Sequence, residues 1–417
     1  MTANRRSRSG SNDRELRLWK VGRVLALAFI AALVVAGSVF YSLVILLDFQ
    51  QIDTTAKLDA KTLFELVKLS FGVVAGAGAL VALVVAYRRQ RVDEAGAHRE
   101  ATRLHTERFT TAVSQLGDDS PAVRLGGVHA LAGLADDAPD DNLRQTCIDV
   151  LCAYLQLPFT PDPGNDPTDQ EARHRYLALR RVRHTILRLI GDHYRRPRGT
   201  HRSWQGCDLD LSGVTIDGNM DFRRAVFSVG TVDFTGAVFS DGMVDFTDAV
   251  FSGDAPYSGG RVHFGEAVFC GSRVIFRSAS FRGGRVDFGD SVFSGGVVSF
   301  GGADFCGGRV NFIGAVFSGG TVYFEHALFR GSMEYTGGTV FFDDAQFSGS
   351  TVNFCDAVFV SDTAFTSTAN FRNAVFLGGT VDFRDARGPA PGTLLAAVGT
   401  SAPERVVLSS AWLPPTP

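Results

Sequence analysis

Phe264, Phe276, Phe288, Phe300, Phe312 and Phe324 recur every twelve residues, and Phe269, Phe281, Phe293, Phe305, Phe317 and Phe329 follow them five residues later. The unit reads x-Val-Asp/Asn-Phe-x-x-Ala-x-Phe-x-Gly-Gly and, with interruptions, fills residues 219–386. A unit this short cannot bury its own apolar face, so it must stack on its neighbours. Positions two and four, and seven and nine, are apolar or small. Inward pairs two residues apart are the period of a strand. Gly-Gly steps such as Gly283-Gly284 and Gly307-Gly308 mark turns. The expectation is a solenoid whose interior is a phenylalanine ladder, with Phe234, Phe239, Phe246 and Phe251 preceding the twelve above. Each buried ring is worth about 1.5–3 kcal/mol.

These residues carry a resemblance. Ala237-Val238-Phe239-Ser240, Ala315-Val316-Phe317-Ser318 and Val232-Asp233-Phe234-Thr235-Gly236 resemble pentapeptide repeats, with a small residue two positions before Phe. The resemblance implies a right-handed quadrilateral β-helix. One departure is plain: two extra residues follow every second pentapeptide, so a four-faced coil would take 24 residues instead of 20. Ala255–Gly260, Met333–Gly338 and a segment near Thr363–Ser367 interrupt the count further. Trp204 to Ile216 is expected to cap one end. Val406, Val407, Leu408 and Trp412 either cover the other or meet a second copy.

Towards the N-terminus, Val24 to Leu47 and Leu69 to Tyr87 are uncharged runs of 24 and 19 residues. A helix of 24 residues is roughly 36 Å long, enough for a membrane core of ~30 Å. Arg5, Arg6, Arg8, Arg14, Arg17, Lys20 and Arg23 precede the first run, and Arg88, Arg89 and Arg91 follow the second. The positive-inside rule then places both termini in the cytoplasm. Gly72 and Gly76 form a small-residue stripe for close helix packing, within the chain or against a second copy. The fold class expected is therefore two transmembrane helices, an α-helical linker segment and the β-helix. The corresponding domains are 1–23 (basic tail), 24–87 (membrane hairpin), 88–202 (helical), 203–386 (repeat) and 387–417 (cap and Pro-rich tail). Together they resemble the membrane-anchored pentapeptide-repeat proteins of actinobacteria, placed at the plasma membrane.

In the helical segment, Ser120-Pro121 is a helix start, and the helix ends before Pro139. A partner begins near Asp141, and a further helix runs from Glu171 to about Tyr194. Arg173 to Arg202 holds ten arginines and one acid, Asp192. That pattern suits contact with anionic lipid or nucleic acid, or an arginine face packing its own stems on the protein.

Little in the sequence points to catalysis. Gly289-Asp290-Ser291 resembles the start of a hydrolase motif, but Ser291 occupies the inward seventh position. The acids at position three, among them Asp233, Asp245 and Asp287, recur with the corner and not as a catalytic pair. The six cysteines show no metal-ligand spacing and read as free thiols. No catalytic, metal or cofactor residue is assigned, and no enzyme activity is expected. Residues 219–386 carry 18 acids and 11 arginines, too modest an acidity for the strongly acidic rod that DNA mimicry needs, and no nucleic-acid partner is expected. The functional expectation is a membrane-tethered scaffold for an unknown protein partner. Its alternative, implied by the resemblance, is a DNA-mimicking regulator of a type II topoisomerase.

Overall fold

Apolar periodicity, Pro and Gly divide the chain into helices first and short strands afterwards. The computed structural model describes residues 27, 30, 31, 34, 37, 38, 41, 60–159, 162–164, 170–253, 259–330, 339–360, 369–391, 393–399 and 405–413. Two compact units result, 1–101 and 102–417.

The membrane hairpin is overturned. Val24–Leu47 falls almost wholly outside the described residues. Leu69–Tyr87 is not a bounded span but the interior of one unbroken helix, α1 (Ala60–Leu116), which carries thirteen Asp, Glu, Lys and Arg residues. Among the described residues no helix is long and apolar enough to cross a membrane. The plasma-membrane location, the inside orientation of the termini and the integral anchoring lose their basis with it. Gly72 and Gly76 lie exposed on α1, and a Cβ added to either would meet nothing within 4 Å. Neither therefore packs against a described helix.

In the second unit, α2 (Pro121–Asp136) and α3 (Asp141–Gln156) pack as a hairpin, joined by α4 (Gln170–Tyr194). Ser120 is the N-cap of α2 by its extended backbone, without a side-chain bond. Asp140 caps α3, its carboxylate accepting from the Leu143 amide at 2.9 Å. Val128, Leu131, Ile148, Leu151, Val182 and Ile186 are buried where the three helices meet.

The repeat forms parallel strands of two or three residues, with two longer ones at Val292–Ser299 and Val316–Tyr323. Each strand pairs in register with one a coil away. Val286 faces Val310, 24 residues on. Across the first two interruptions the offset is 30, as for Val232 and Val262 or Val310 and Val340, and across the third it is 29, as for Val340 and Ala369. Residues 254–258, 331–338 and 361–368 lie outside the described residues, yet the columns resume on their far sides.

The four separate faces of a quadrilateral β-helix are not what the hydrogen bonding shows. The described strands form three parallel sheets, of seven, thirteen and six strands. The reason is local. Val292–Ser299 and Val316–Tyr323 stay paired around a corner, through left-handed Gly296 and Gly320 and a shift in register, and so join two columns into one sheet. The architecture is thus α-helices followed by parallel-stranded sheets.

Inside, the rings stack in columns. Phe276 lies 4.8 Å from Phe300, which lies 4.9 Å from Phe324, with planes 4° and 5° apart. Facing columns meet edge to face, as Phe300 does with Phe288 at 5.7 Å and 84°. Both arrangements suit the ring quadrupole. All sixteen sequence-assigned ladder residues, from Phe234 to Phe329, are buried. Each unit then turns at Phe-x-x-Ala, the Ala amide donating to the Phe carbonyl, as Ala267 does to Phe264 at 3.1 Å. The third turn residue is left-handed, with Glu266 at φ 58° and Asp290 at φ 55°.

Helix α4 closes the first coil. Tyr194 stacks on Phe227 at 5.1 Å, and a Cβ on Gly191 would sit 2.6 Å from the Asp221 backbone. At the other end, Val406 pairs with Val381, and Trp412 lies 5.7 Å from both Phe359 and Phe383.

Candidate functional site

Part of the arginine-rich segment serves the structure. Arg180 donates to Asp217 at 2.7 Å and to Asp241 at 3.1 Å. Arg183 is buried and donates to the carbonyls of Leu155 and Thr215 at 2.7 and 3.2 Å. Arg195 pairs with Asp221 at 3.1 Å. These arginines fasten α4 to the first coils instead of facing outward as a lipid or nucleic-acid patch.

The position-three acids are structural too. Asp233, Asp245 and Asp287 each accept from the amide two residues on, at 2.8, 2.9 and 3.0 Å. Asp and Asn recur there because a short carboxylate or amide closes that turn, a reason that periodicity alone does not supply. Ser291 is buried, and its hydroxyl donates to the Phe288 carbonyl at 2.7 Å.

One Cys-His contact invites a catalytic reading. Cys147 Sγ lies 3.7 Å from His105 Nε2. Burial pushes the thiol up to about 11 and the imidazole down. The pair is therefore neutral and shut away, whereas a nucleophilic cysteine needs a thiolate and access. Among the described residues no group of three or more His, Cys, Asp or Glu is placed to hold a metal.

A different feature stands out on the seven-stranded sheet. Arg261, Arg285 and Arg309 open consecutive strands of that sheet and face one another residue to residue, without a shift in register. Val262, Val286 and Val310 point inward, which turns the arginines outward. Among the described residues no guanidinium nitrogen of the three has an ion-pair or hydrogen-bond partner, and Nε of Arg285 and of Arg309 is fully buried. The nearby Asp287 is already engaged by Asn311 at 2.7 Å and by its own turn. Arg309 lies over the Phe341 ring at 4.8 Å, a cation–π contact that tethers the head without neutralising it.

Such a column is costly when empty. Neighbouring parallel strands are about 4.8 Å apart. Two positive charges at that distance repel by roughly 1 kcal/mol in water and 3–4 kcal/mol at the effective dielectric of a protein surface. Each column arginine follows a buried glycine. Gly260, Gly284 and Gly308 each precede a column arginine, and a Cβ there would come within 2.7, 2.9 and 3.0 Å of the adjoining coil's backbone. Close approach of the coils demands glycine at these buried positions.

Arg261, Arg273, Arg285 and Arg309 all occupy position one of their twelve-residue units. The structure separates Arg273, which pairs with Met243 and Val297 in the thirteen-stranded sheet. The signal that finds the column is parity: a coil holds two units, so only alternate units share a sheet.

No protein-family model matches this chain, and no curated protein matches it either. The likeness to pentapeptide-repeat proteins therefore stops at short motifs, and the 24-residue coil explains why a five-residue frame does not carry through. The DNA-mimic alternative rested on that likeness and falls with it. The membrane-tethered scaffold, with a second copy or another protein held at the bilayer, falls with the spans.

Proposed function

We propose that this chain is a non-catalytic binding protein that holds an anionic ligand along Arg261, Arg285 and Arg309. The observation that carries the reading is three arginines in register whose guanidiniums meet no carboxylate among the described residues. The terminal guanidinium nitrogens, not the two buried Nε atoms, are what an oxyanion would meet. Arginine's planar fork suits carboxylate and phosphate alike.

The test is thermal denaturation of the full chain in sodium sulfate or phosphate against sodium chloride at matched ionic strength. A ligand that binds only the folded state stabilises it by about 2.7 kcal/mol at a hundredfold excess over Kd. Sulfate also stabilises proteins generally, so the comparison between variants decides. The Arg285→Ala/Arg309→Ala double variant should lose the extra gain, while Arg273→Ala should keep it. An equal sulfate response in all three proteins would refute the proposal.

A further inference from the structure

We infer that the last coil of the solenoid is a docking site for the C-terminus of a partner polypeptide, which adds a strand over Val375–Phe376, lays an aromatic ring on Phe376 and directs its terminal carboxylate to Arg405. The inference is independent of the arginine column. It starts from the four ladder rings that end the stack, Phe359, Phe371, Phe376 and Phe383. Three of their amides are taken. Phe359 donates to the Arg387 carbonyl at 2.9 Å, Phe371 to Thr393 Oγ1 at 2.7 Å and Phe383 to the Val407 carbonyl at 2.7 Å. Among the described residues the Phe376 amide has no acceptor. Its strand pairs on one side only, with Gln346–Phe347. Ile216, Phe239, Phe269, Phe293, Phe317 and Phe347 precede Phe376 in the same column and are all buried, whereas Phe376 is half-buried and the next residue, Leu377, is 70% exposed.

The coil beneath shows what this edge accepts. There the Val375 amide donates to the Ala345 carbonyl at 2.9 Å and the Leu377 amide to the Phe347 carbonyl at 2.8 Å. One level up, the same pattern offers the carbonyls of Ala374 and Phe376 as acceptors and the Phe376 amide as a donor. An extended chain parallel to the strand meets all three, and its side chain above Phe376 continues the stack at the strand spacing of about 4.8 Å. Main-chain pairing with an open edge is the way extended peptides join sheets.

Arg405 sets where that chain ends. A cleft of about 240 Å³ opens beside the strand, lined by Phe376, Leu377, Val381, Val406 and Arg405 among others. The helix Leu394–Val398 packs near the strand without lining the cleft. Val406 faces Val381, so Arg405 lies over Thr380, four residues along the coil from Phe376. It is exposed, and among the described residues its guanidinium meets no carboxylate. Val406–Val407 already covers the next wall, so a docked chain has to stop before it. A chain that ends two residues past its aromatic brings its terminal carboxylate toward Arg405, a charge-assisted contact.

The probe is the acetylated pentapeptide Ala-Val-Phe-Leu-Gly with a free carboxylate, the sequence of residues 374–378, titrated calorimetrically into the full chain. It should bind, and its C-terminal amide should bind about tenfold more weakly, the scale of one lost charged contact. Replacing its Phe by Ala, or methylating the Leu nitrogen that donates to the Phe376 carbonyl, should abolish binding. Arg405→Ala should weaken the free acid to the level of the amide and leave the amide unchanged. Leu377→Glu, at an exposed position, should keep the fold and repel the free acid. Arg285→Ala should bind as the parent does, which separates this site from the arginine column. Equal affinity for acid and amide would overturn the inference. So would phenylpropionate binding as tightly as the peptide, which would give the cleft to a small amphipathic acid. A dimer in sedimentation that Leu377→Glu converts to monomer would give it to a second copy and overturn the inference too, as would no binding at millimolar peptide.

Discussion

Removing the ring of Phe300 tests the interior directly. Phe300 is fully buried, stacked between Phe276 and Phe324 at 4.8 and 4.9 Å and met edge to face by Phe288 and Phe312, each at 5.7 Å. Truncation of a buried Phe to Ala costs about 3–5 kcal/mol. Aromatic pairs add about 0.5–1.5 kcal/mol beyond area, and with four such contacts Phe300→Ala belongs at the upper end. Phe300→Leu keeps most of the apolar volume and should lose less than about half as much. Phe300→Arg places an unpaired charge in the stack and should unfold the neighbouring coils. The control is Asp233→Ala, which removes a single exposed-side hydrogen bond, 2.8 Å to the Thr235 amide, worth about 1 kcal/mol. Urea denaturation followed by circular dichroism gives the totals. Because stability in stacked repeats is nearly one-dimensional, the loss should be concentrated nearby. Hydrogen exchange at the amides of Phe276 and Phe300, bonded to Ser299 at 2.6 Å and Tyr323 at 2.7 Å, should accelerate before that of distant coils. A Phe300→Ala variant no less stable than Asp233→Ala would refute the column as the source of stability.

Asp290 holds φ at 55°, where the equivalent turn position one coil on is Gly314 at φ 69°. Asp290→Gly should therefore stabilise the chain by up to about 1 kcal/mol, read as a rise in the urea midpoint. Asp217 sits under α4; burial alone would raise its carboxyl, but the His184 ring 3.1 Å away and a hydrogen bond from Arg180 carry it below the usual carboxylate value. A depressed folded value means that this stability is present above the unfolded value near 3.8 and is lost as pH falls through the lower folded one. Asp217→Asn should cost about 2–4 kcal/mol near neutrality and flatten the acid limb of a stability–pH profile; an unchanged acid limb would contradict this. Burial pushes the thiols of Cys147, Cys152 and Cys207 up to about 11, 12 and 11. Iodoacetamide at pH 7.5 should therefore spare them in the folded chain and label exposed Cys270 first, as peptide mapping would show.

The arginine column was half legible. Its members are visible as recurring position-one arginines, but their separation from Arg273 depends on which coil pairs with which. The missing acceptors were not legible at all, since whether a guanidinium finds a carboxylate is a matter of three-dimensional neighbours. Arg330 illustrates the contrast: its fork meets Asp304 at 2.9 and 2.6 Å, a residue 26 positions away. The cap likewise emerged only in space. Nothing in the spacing of Arg180, Arg183 and Arg195 announces that Asp217, two carbonyls and Asp221 lie opposite them.

What the amino-acid order determines by itself is local and periodic. The alternation of Val, Phe and Ala selects the inward face, the Gly-Gly steps select corners, and the twelve-residue clock makes each unit equivalent to the next. Those choices depend on strand pleat, ring size and backbone freedom, all of which act within a few residues. Tertiary structure decided the rest. Coils pair at 24 residues and skip to 30 or 29 across interruptions, two long strands merge four columns into three sheets, and a long helix absorbs the uncharged run beginning at Leu69. Register and pairing are set by the sum of contacts between distant segments, and a local pattern that fits several registers equally well cannot choose among them.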